Sequence, residues 1–391
     1  NRDILPGSEQ YQKLANILAS SPETWKIVVH HHPVYTSSEN SYGNSWFQSQ
    51  HHGDPNEMHL KKLYETYGVD LVLNGHIHLY ERTWPIANDR VVEENGVIYV
   101  TTGGGGGGLD KAAANRTWFS AKTRNTHHYL DIRITDRQLC AKAIDTTGVA
   151  FDSWTIEKEA GYKRLNAPLI TETKQYFIDT TTINLQNTNS QGAIKYRLSN
   201  NEEVTSSSAN VKIKVTGTVT VSAYVQDNGQ KSRVAVTTVE KLQVFPSREK
   251  ASKGVAAEYF EGGWIALPDF SKLKSLKTFQ LDSVSLQNIQ PRAQDHFAVR
   301  FTGSFSVPET DVYRFMLQSF DGSKLFIDGK EIINNDGIHY EINKENFVAL
   351  GKGLHSFEIQ YFDFVHRETL RLWTGTKPNQ MRWFNDFVVK R

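Results

Sequence analysis

The sequence predicts an α/β domain followed by two all-β sandwiches. Three observations predict it. Helical apolar spacing alternates with short continuous apolar runs through residue 159. After residue 159 the composition shifts to Thr, Ser, Val and Asn in short alternating runs. From residue 253 the alternating runs continue but are dense in aromatics. At roughly 100–200 residues per domain, 391 residues call for two or three. The expected boundaries are 1–159, 163–243 and 253–391.

In the first segment, Glu9–Ala19 has helical spacing (Tyr11, Leu14, Ile17, Leu18) after a Pro6-Gly7 turn. Trp25–Val29 reads as a buried strand, Asn56–Tyr67 as a second helix, and Val69–Leu73 and Val97–Thr102 as two more buried strands. His128–Ile134, Gln138–Asp145 and Val149–Ile156 alternate like an antiparallel meander. Cys140, in the second of these, is expected to be a buried small hydrophobe. In the middle segment, Thr181–Leu185, Ala193–Leu198, Val211–Val215, Val219–Val225 and Val234–Val239 have the spacing of a small β-sandwich. In the last segment the runs are Phe297–Phe305, Val312–Leu317, Lys324–Ile327, His355–Phe362 and Thr369–Trp373. Asp321-Gly322 and Asp328-Gly329 are expected hairpin turns there.

Composition narrows the function classes. Lys and Arg total 44 and Asp and Glu 43, so no charged surface for nucleic acid or anionic membrane is expected. Mean hydropathy is −0.50, and no apolar run approaches the ~18 residues of a membrane span. Cys140 is the lone cysteine, which excludes an intrachain disulfide framework. Ten of the 14 histidines fall within the first 128 residues, so the chemistry is expected in front and accessory modules behind.

Two histidine clusters follow expected strand ends, where α/β sheets place their sites. Asn74-Gly75-His76-Ile77-His78 follows Val69–Leu73, and His30-His31-His32-Pro33-Val34-Tyr35 follows Trp25–Val29. Two histidines at i and i+2 outside a helix can reach one metal or two neighbouring metals. The plain alternative is a set of solvated or core histidines.

These stretches resemble the C-terminal half of a calcineurin-like metallophosphoesterase. The Tyr80-Glu81-Arg82 tail of Gly75-His76-Ile77-His78-Leu79-Tyr80-Glu81-Arg82 points to the purple acid phosphatase branch. The resemblance implies a partial α/β metallophosphoesterase sandwich, its N-terminal half missing, running to about Glu159. It also implies a phosphate ester substrate and two metal ions drawn from iron, zinc and manganese. His31 and His76 would share one ion and His78 would bind the other. A further histidine, His51 or His52, would contact phosphate or protonate the leaving oxygen. The family's Asp-x-His, Gly-Asp-x-x-Asp and Gly-Asn-His motifs do not occur in the matching order; Gly43-Asn44 and Gly53-Asp54 are the nearest strings. One metal would then have two histidines and the other one, where catalytic zinc sites use about three protein ligands. The chain is therefore expected to be a C-terminal piece of a longer hydrolase, inactive in isolation. The alternative is a non-enzymatic extracytoplasmic binding or adhesion protein on a degenerate phosphoesterase scaffold.

The glycine run Gly103–Gly108 follows a strand, and the expectation is a loop crowded by its neighbours or a close approach to a ligand. His127-His128 is expected to be structural. Residues 163–243 resemble the C-terminal Ig-like domain of chitobiase and hexosaminidase-type enzymes, carried by Gly192–Asn200 and Val219–Ser232. A spacer is expected. Residues 253–391 resemble the protective-antigen-type β-sandwich, carried by Phe305-Ser-Val-Pro, Val312-Tyr-Arg-Phe and Ser319-Phe-Asp-Gly-Ser-Lys-Leu-Phe-Ile-Asp-Gly329. Calcium-dependent lectins of that type use two consecutive aspartates in the last loop. Phe320 replaces the first, so calcium is not expected, since it takes about 6–8 oxygen ligands. A glycan or cell-surface partner and an extracytoplasmic location follow from these accessory resemblances.

Overall fold

The computed structural model describes residues 4–6, 8–38, 53–54, 56–112, 117–199, 201–365, 367–377 and 380–390. The chain divides into two compact units, residues 1–173 with 182–238 and residues 174–181 with 239–391.

The first unit begins with helix α1 (Glu9–Ser20), whose N-cap Ser8 accepts from the Tyr11 N–H at 3.2 Å. Ala15, Leu18 and Ala19 face the core. Strand β1 is Ile27–His30. Helix α2 (Leu60–Tyr67) follows a short 3₁₀ turn and ends at Gly68, whose φ of 67° is the left-handed cap. Next come β2 (Leu71–Asn74), β3 (Tyr80–Thr83), the small hairpin β4 (Ile86–Ala87) and β5 (Arg90–Val91), β6 (Ile98–Thr102) and β7 (Ser120–Arg124). They form a five-stranded sheet in the order β1-β2-β6-β3-β7. β1, β2 and β6 run parallel; β3 is antiparallel to β6, and β7 is antiparallel to β3 and so runs with the first three. The strands β8 (His128–Ile134), β9 (Gln138–Asp145) and β10 (Ala150–Glu157) form the expected antiparallel meander.

Two cores sandwich the five-stranded sheet. One joins Val72 and Tyr99 to Leu18, Leu63 and Tyr64 of the helices. The other joins Leu71, Tyr80 and Val100 to Leu139, Ala141 and Ala143 of the meander. Two expectations are corrected here. β1 is the sheet edge rather than a buried strand: Val29 is 72% and Ile27 37% exposed, because among the described residues only β2 pairs with it. Cys140 is half-buried and alternates with buried Leu139 and Ala141, so it points away from that core.

Residues 163–238 carry two sheets. Leu169–Glu172, Thr181–Gln186 and Asn210–Val215 form one, and Val204–Ser206, Ala193–Leu198 and Val219–Asp227 pair in the other. Their aliphatic core includes Ile183, Leu185, Ile194, Val221, Ala223 and Val225. Polar groups bind this module to the helical side of the same unit. The Arg164 guanidinium donates to the carbonyls of Glu23, Thr24 and Gly68 at 2.7–2.8 Å. The buried Lys26 ammonium donates to Leu18 O, Tyr67 O and Asn166 Oδ1. Burial, then the neighbouring Arg164, lowers the Lys26 pKa to about 7.

The second unit is a β-sandwich. Its six-stranded sheet has the order Lys277–Leu281, Val255–Glu261, Phe297–Val307, Gly353–Asp363, Ser323–Ile327, Lys330–Asn335. The facing sheet has the order Ile342–Leu350, Asp311–Phe320, Thr369–Gly375, Arg382–Trp383. Phe301, Phe305, Phe315, Ile359 and Tyr361 lie at its centre, fully buried. Asp328-Gly329 is a hairpin turn, with both residues at positive φ. Asp321-Gly322 is not. The strand before it and the strand after it belong to different sheets, and Asp321, at φ 61°, accepts the Phe364 N–H on its buried carboxylate.

Candidate metal centre

β1 and β2 are parallel neighbours with His30 opposite Asn74, so the loops that leave them emerge side by side. Asn74 is buried and joins the two loops. Its amide donates to the carbonyls of His30 and His32 at 3.0 and 3.1 Å, and the Gly75 N–H donates to His31 O at 3.0 Å. In the second loop Ile77 and Leu79 are buried, which leaves the alternating His76 and His78 on the open side. His76 sits at φ 61°, a conformation a non-glycine residue adopts only when its surroundings hold it there.

The result is a cluster of three imidazoles. His76 Nδ1 lies 3.3 Å from His31 Nε2, with the rings 5.2 Å apart and nearly perpendicular. The His32 ring stacks on His76 at 4.3 Å. One ring nitrogen from each of His31, His32 and His76 lies within 4.8 Å of the others. Behind them, His32 Nδ1 meets Asp54 Oδ2 at 3.1 Å. Asp54 is buried. Its other oxygen accepts from the backbone and amide nitrogens of Asn56, and its own N–H donates to Pro33 O. His30 lies on the buried side, its Nδ1 3.5 Å from Glu57. Burial lowers its pKa to about 4, which keeps it neutral.

His78 stands apart from this trio. Its Nδ1 is 2.7 Å from Gly108 O, and its N–H donates to Asp110 Oδ2 at 2.7 Å. A carbonyl cannot donate, so Nδ1 carries the proton and Nε2 the lone pair. The glycine run makes this approach possible. A Cβ on Gly103 would fall 2.2 Å from Ile77 O, and one on Gly107 2.7 Å from His78 Cε1. The loop is crowded on this side, as one of the two sequence readings has it.

Tyr80, Glu81 and Arg82 are the frame of the site. The Glu81 carboxylate is buried and accepts from the Ser37 N–H at 2.8 Å, the Thr36 hydroxyl at 3.1 Å and the Ser120 hydroxyl. It thus ties the chain beyond His31 and His32 to β3 and β7. Arg82 grips Asp152 through two hydrogen bonds, and the Tyr80 hydroxyl donates to the same carboxylate. His128 is buried between Thr126 O and the Thr102 hydroxyl, a structural placement. His51 and His52 lie outside the described residues. The structure therefore brings His31 and His76 together, sets His78 apart, and adds His32 and Asp54, which the motif-based reading passed over. Their signal in the sequence was the unbroken run of three histidines and the Gly53-Asp54 pair.

Residues 2–80 match the calcineurin-like phosphoesterase family, and residues 251–382 match the PA14 domain. Probable inactive purple acid phosphatase 27 of Arabidopsis thaliana is 28% identical over 171 residues, 40% of this chain and 28% of its own. Probable purple acid phosphatase 20 of the same plant is 35% identical over 105 residues, 25% and 22% of the two chains. This chain thus spans less than a third of the length of these curated relatives. Among solved structures, a purple acid phosphatase from yellow lupin (Lupinus luteus) seeds is similar at 27% identity and a TM-score of 0.37, covering 40% of this chain and 29% of its own. A PA14 sugar-binding domain from an RTX adhesin is similar at 18% identity and a TM-score of 0.31, covering 36% and 100%. The N-terminal part is purple acid phosphatase-like and the C-terminal part contains a PA14 domain. Among the described residues no helix is long and apolar enough to cross a membrane.

Proposed function

We propose that residues 1–159 are part of a metal-dependent phosphoesterase that hydrolyses a phosphate ester at a dinuclear centre. His31 and His76 would hold one ion and His78 the other. The observation that carries this reading is the pair of facing nitrogens, His31 Nε2 and His76 Nδ1 at 3.3 Å, with His78 Nε2 left as an acceptor beside them in sequence. Two such nitrogens need a proton or a cation between them, and imidazole suits iron, zinc and manganese. Bound there, two ions would supply hydroxide at neutral pH and neutralise the phosphoryl oxygens. The protein's own contribution is placement. Asn74 and Glu81 fix the two loops, and the Gly108 carbonyl sets the His78 tautomer. His51 or His52 would give a proton to the leaving oxygen. The modules 163–243, Ig-like, and 253–391 would attach the enzyme to a glycan or surface partner outside the cytoplasm.

The second reading is a binding protein that keeps this scaffold without turnover. The similarity to a purple acid phosphatase named as probably inactive favours it. The test is to reconstitute the full chain with zinc, manganese or iron and assay an aryl phosphate. Poor turnover is expected from the chain alone, and chelator-sensitive turnover is expected when an upstream segment supplies Asp-x-His, Gly-Asp-x-x-Asp and Gly-Asn-His. In that longer protein His78→Ala should lower metal content and activity together. Metal content unchanged by His78→Ala would remove the dinuclear assignment.

A further inference from the structure

We infer that this chain by itself holds a single divalent cation in a three-histidine site, His31, His32 and His76, with Asp54 as the positioning residue behind His32 and His78 taking no part.

One edge of the trio has the spacing of a zinc-type site, and the third ring is within reach of it. Zinc–nitrogen bonds of ~2.0–2.1 Å in a tetrahedron place neighbouring ligand atoms about 3.3 Å apart. His31 Nε2 and His76 Nδ1 are at 3.3 Å, and the nitrogen of His32 lies within 4.8 Å of both. His32 is presented for the task. Its Nδ1 faces the Asp54 carboxylate at 3.1 Å, so Nδ1 holds the proton and Nε2 the lone pair. Asp54 is itself fixed by two bonds from Asn56 and one to Pro33 O, and it is 2% exposed. A buried, fully bonded carboxylate orienting an imidazole is how proteins support a metal ligand from behind. The His76 backbone, held at φ 61°, completes the arrangement. Every group that would touch or directly orient the ion lies between residues 31 and 76. Three imidazoles leave a fourth position for water, and their chemistry selects zinc, cobalt or a similar borderline ion over calcium or magnesium.

This inference stands apart from the phosphoesterase reading, because it places the third nitrogen on His32 rather than His78. The experiment is a titration of the full chain with cobalt(II), followed by visible absorption, with zinc competition for affinity. One equivalent with the strong bands of a four-coordinate ion is expected. His32→Ala should weaken binding by more than the roughly 10–100-fold that loss of an outer partner costs, and Asp54→Ala by about that factor. His78→Ala should bind as the parent does. Should His32→Ala not fold by circular dichroism, His32→Gln replaces it and should weaken binding likewise. Undiminished binding in the His32 variant would overturn the inference. So would equal loss in His78→Ala, or two equivalents lost together on that change, and either of those results would favour the dinuclear reading instead.

Discussion

Buried carboxyl groups are handled in opposite ways in the two units. In the first, Glu81 and Asp54 are 1% and 2% exposed, and each is surrounded by donors. In the second, Asp321 and Asp363 are 1% and 0% exposed, yet Asp321 Oδ1, Asp363 Oδ2 and Asn335 Oδ1 have no hydrogen-bond partner among the described residues. Burial, then the nearby Asp321, pushes the Asp363 pKa up to about 7. A carboxylate whose oxygens are all engaged is a fixed peg for the loops around it. One with an oxygen left over is held at a cost that a proton removes. The same chemical change, carboxylate to carboxamide, should therefore act with opposite sign in the two places.

The largest effect is expected at the peg. Glu81→Gln keeps the shape but turns an –NH₂ toward the hydroxyls of Thr36 and Ser120 or the Ser37 N–H. Each buried donor left without an acceptor costs about 1–3 kcal/mol. Urea unfolding of the first unit should show a loss in that range or above, and cobalt uptake at the adjacent histidines should weaken with it. A variant as stable as the parent would mean that Glu81 does not hold the loop.

The opposite sign is expected at Asp363. Its folded pKa, about 7, lies above the ordinary value of about 3.9, so between these pH values the folded state binds more protons than the unfolded one. The contribution is complete below pH ~4, declines as pH rises toward 7, and is gone above it. Amide exchange in the strand Gly353–Asp363 should quicken correspondingly over that window, in chelator. Asp363→Asn should flatten the dependence and slow exchange at pH 8, a gain of about 1–2 kcal/mol if one buried unpaired group is relieved. A calcium-dependent slowing in the parent would show that a hard cation, rather than a proton, takes up the three open oxygens, and would reverse the expectation drawn from Phe320.

How much of this was legible in the sequence follows from distance along the chain. The strands and the helices were readable, because alternation and strand-end placement are local signals; the pairing of His31 with His76 was implied only by the family resemblance, and the structure sets their ring nitrogens 3.3 Å apart. The role of Tyr80-Glu81-Arg82 was visible only as a motif. What it does depends on Ser37, Ser120 and Asp152, which lie 44, 39 and 70 residues away from their partners. The Asp321 and Asp363 pair is equally remote, and the dipeptide Asp321-Gly322 read as a hairpin because its crossover between sheets leaves no local mark. His32 was passed over because the motif assigns one histidine of the three, whereas the fold places Asp54 behind another.

The smallest effect expected is at the edge of the first sheet, and it tests a difference between strands. Strand Phe297–Val307 of the second unit is flanked by strands on both sides, and its Val299 is fully buried. Among the described residues β1 has one neighbouring strand, and its Val29 is 72% exposed while Val28 packs against the helical core. Threonine keeps the β-branched shape and replaces one methyl by a hydroxyl, so the cost measures how far water is excluded. Val299→Thr should cost about 1–3 kcal/mol, the penalty for a buried hydroxyl without a designed partner. Val28→Thr should fall below that, since Val28 is only half-buried. Val29→Thr should change stability by less than about 0.5 kcal/mol, as surface substitutions do. The order matters more than the sizes. If Val29→Thr cost as much as Val28→Thr in the full chain, the outer side of β1 would be covered in solution, and the edge that the histidine loops leave from would not be a free edge.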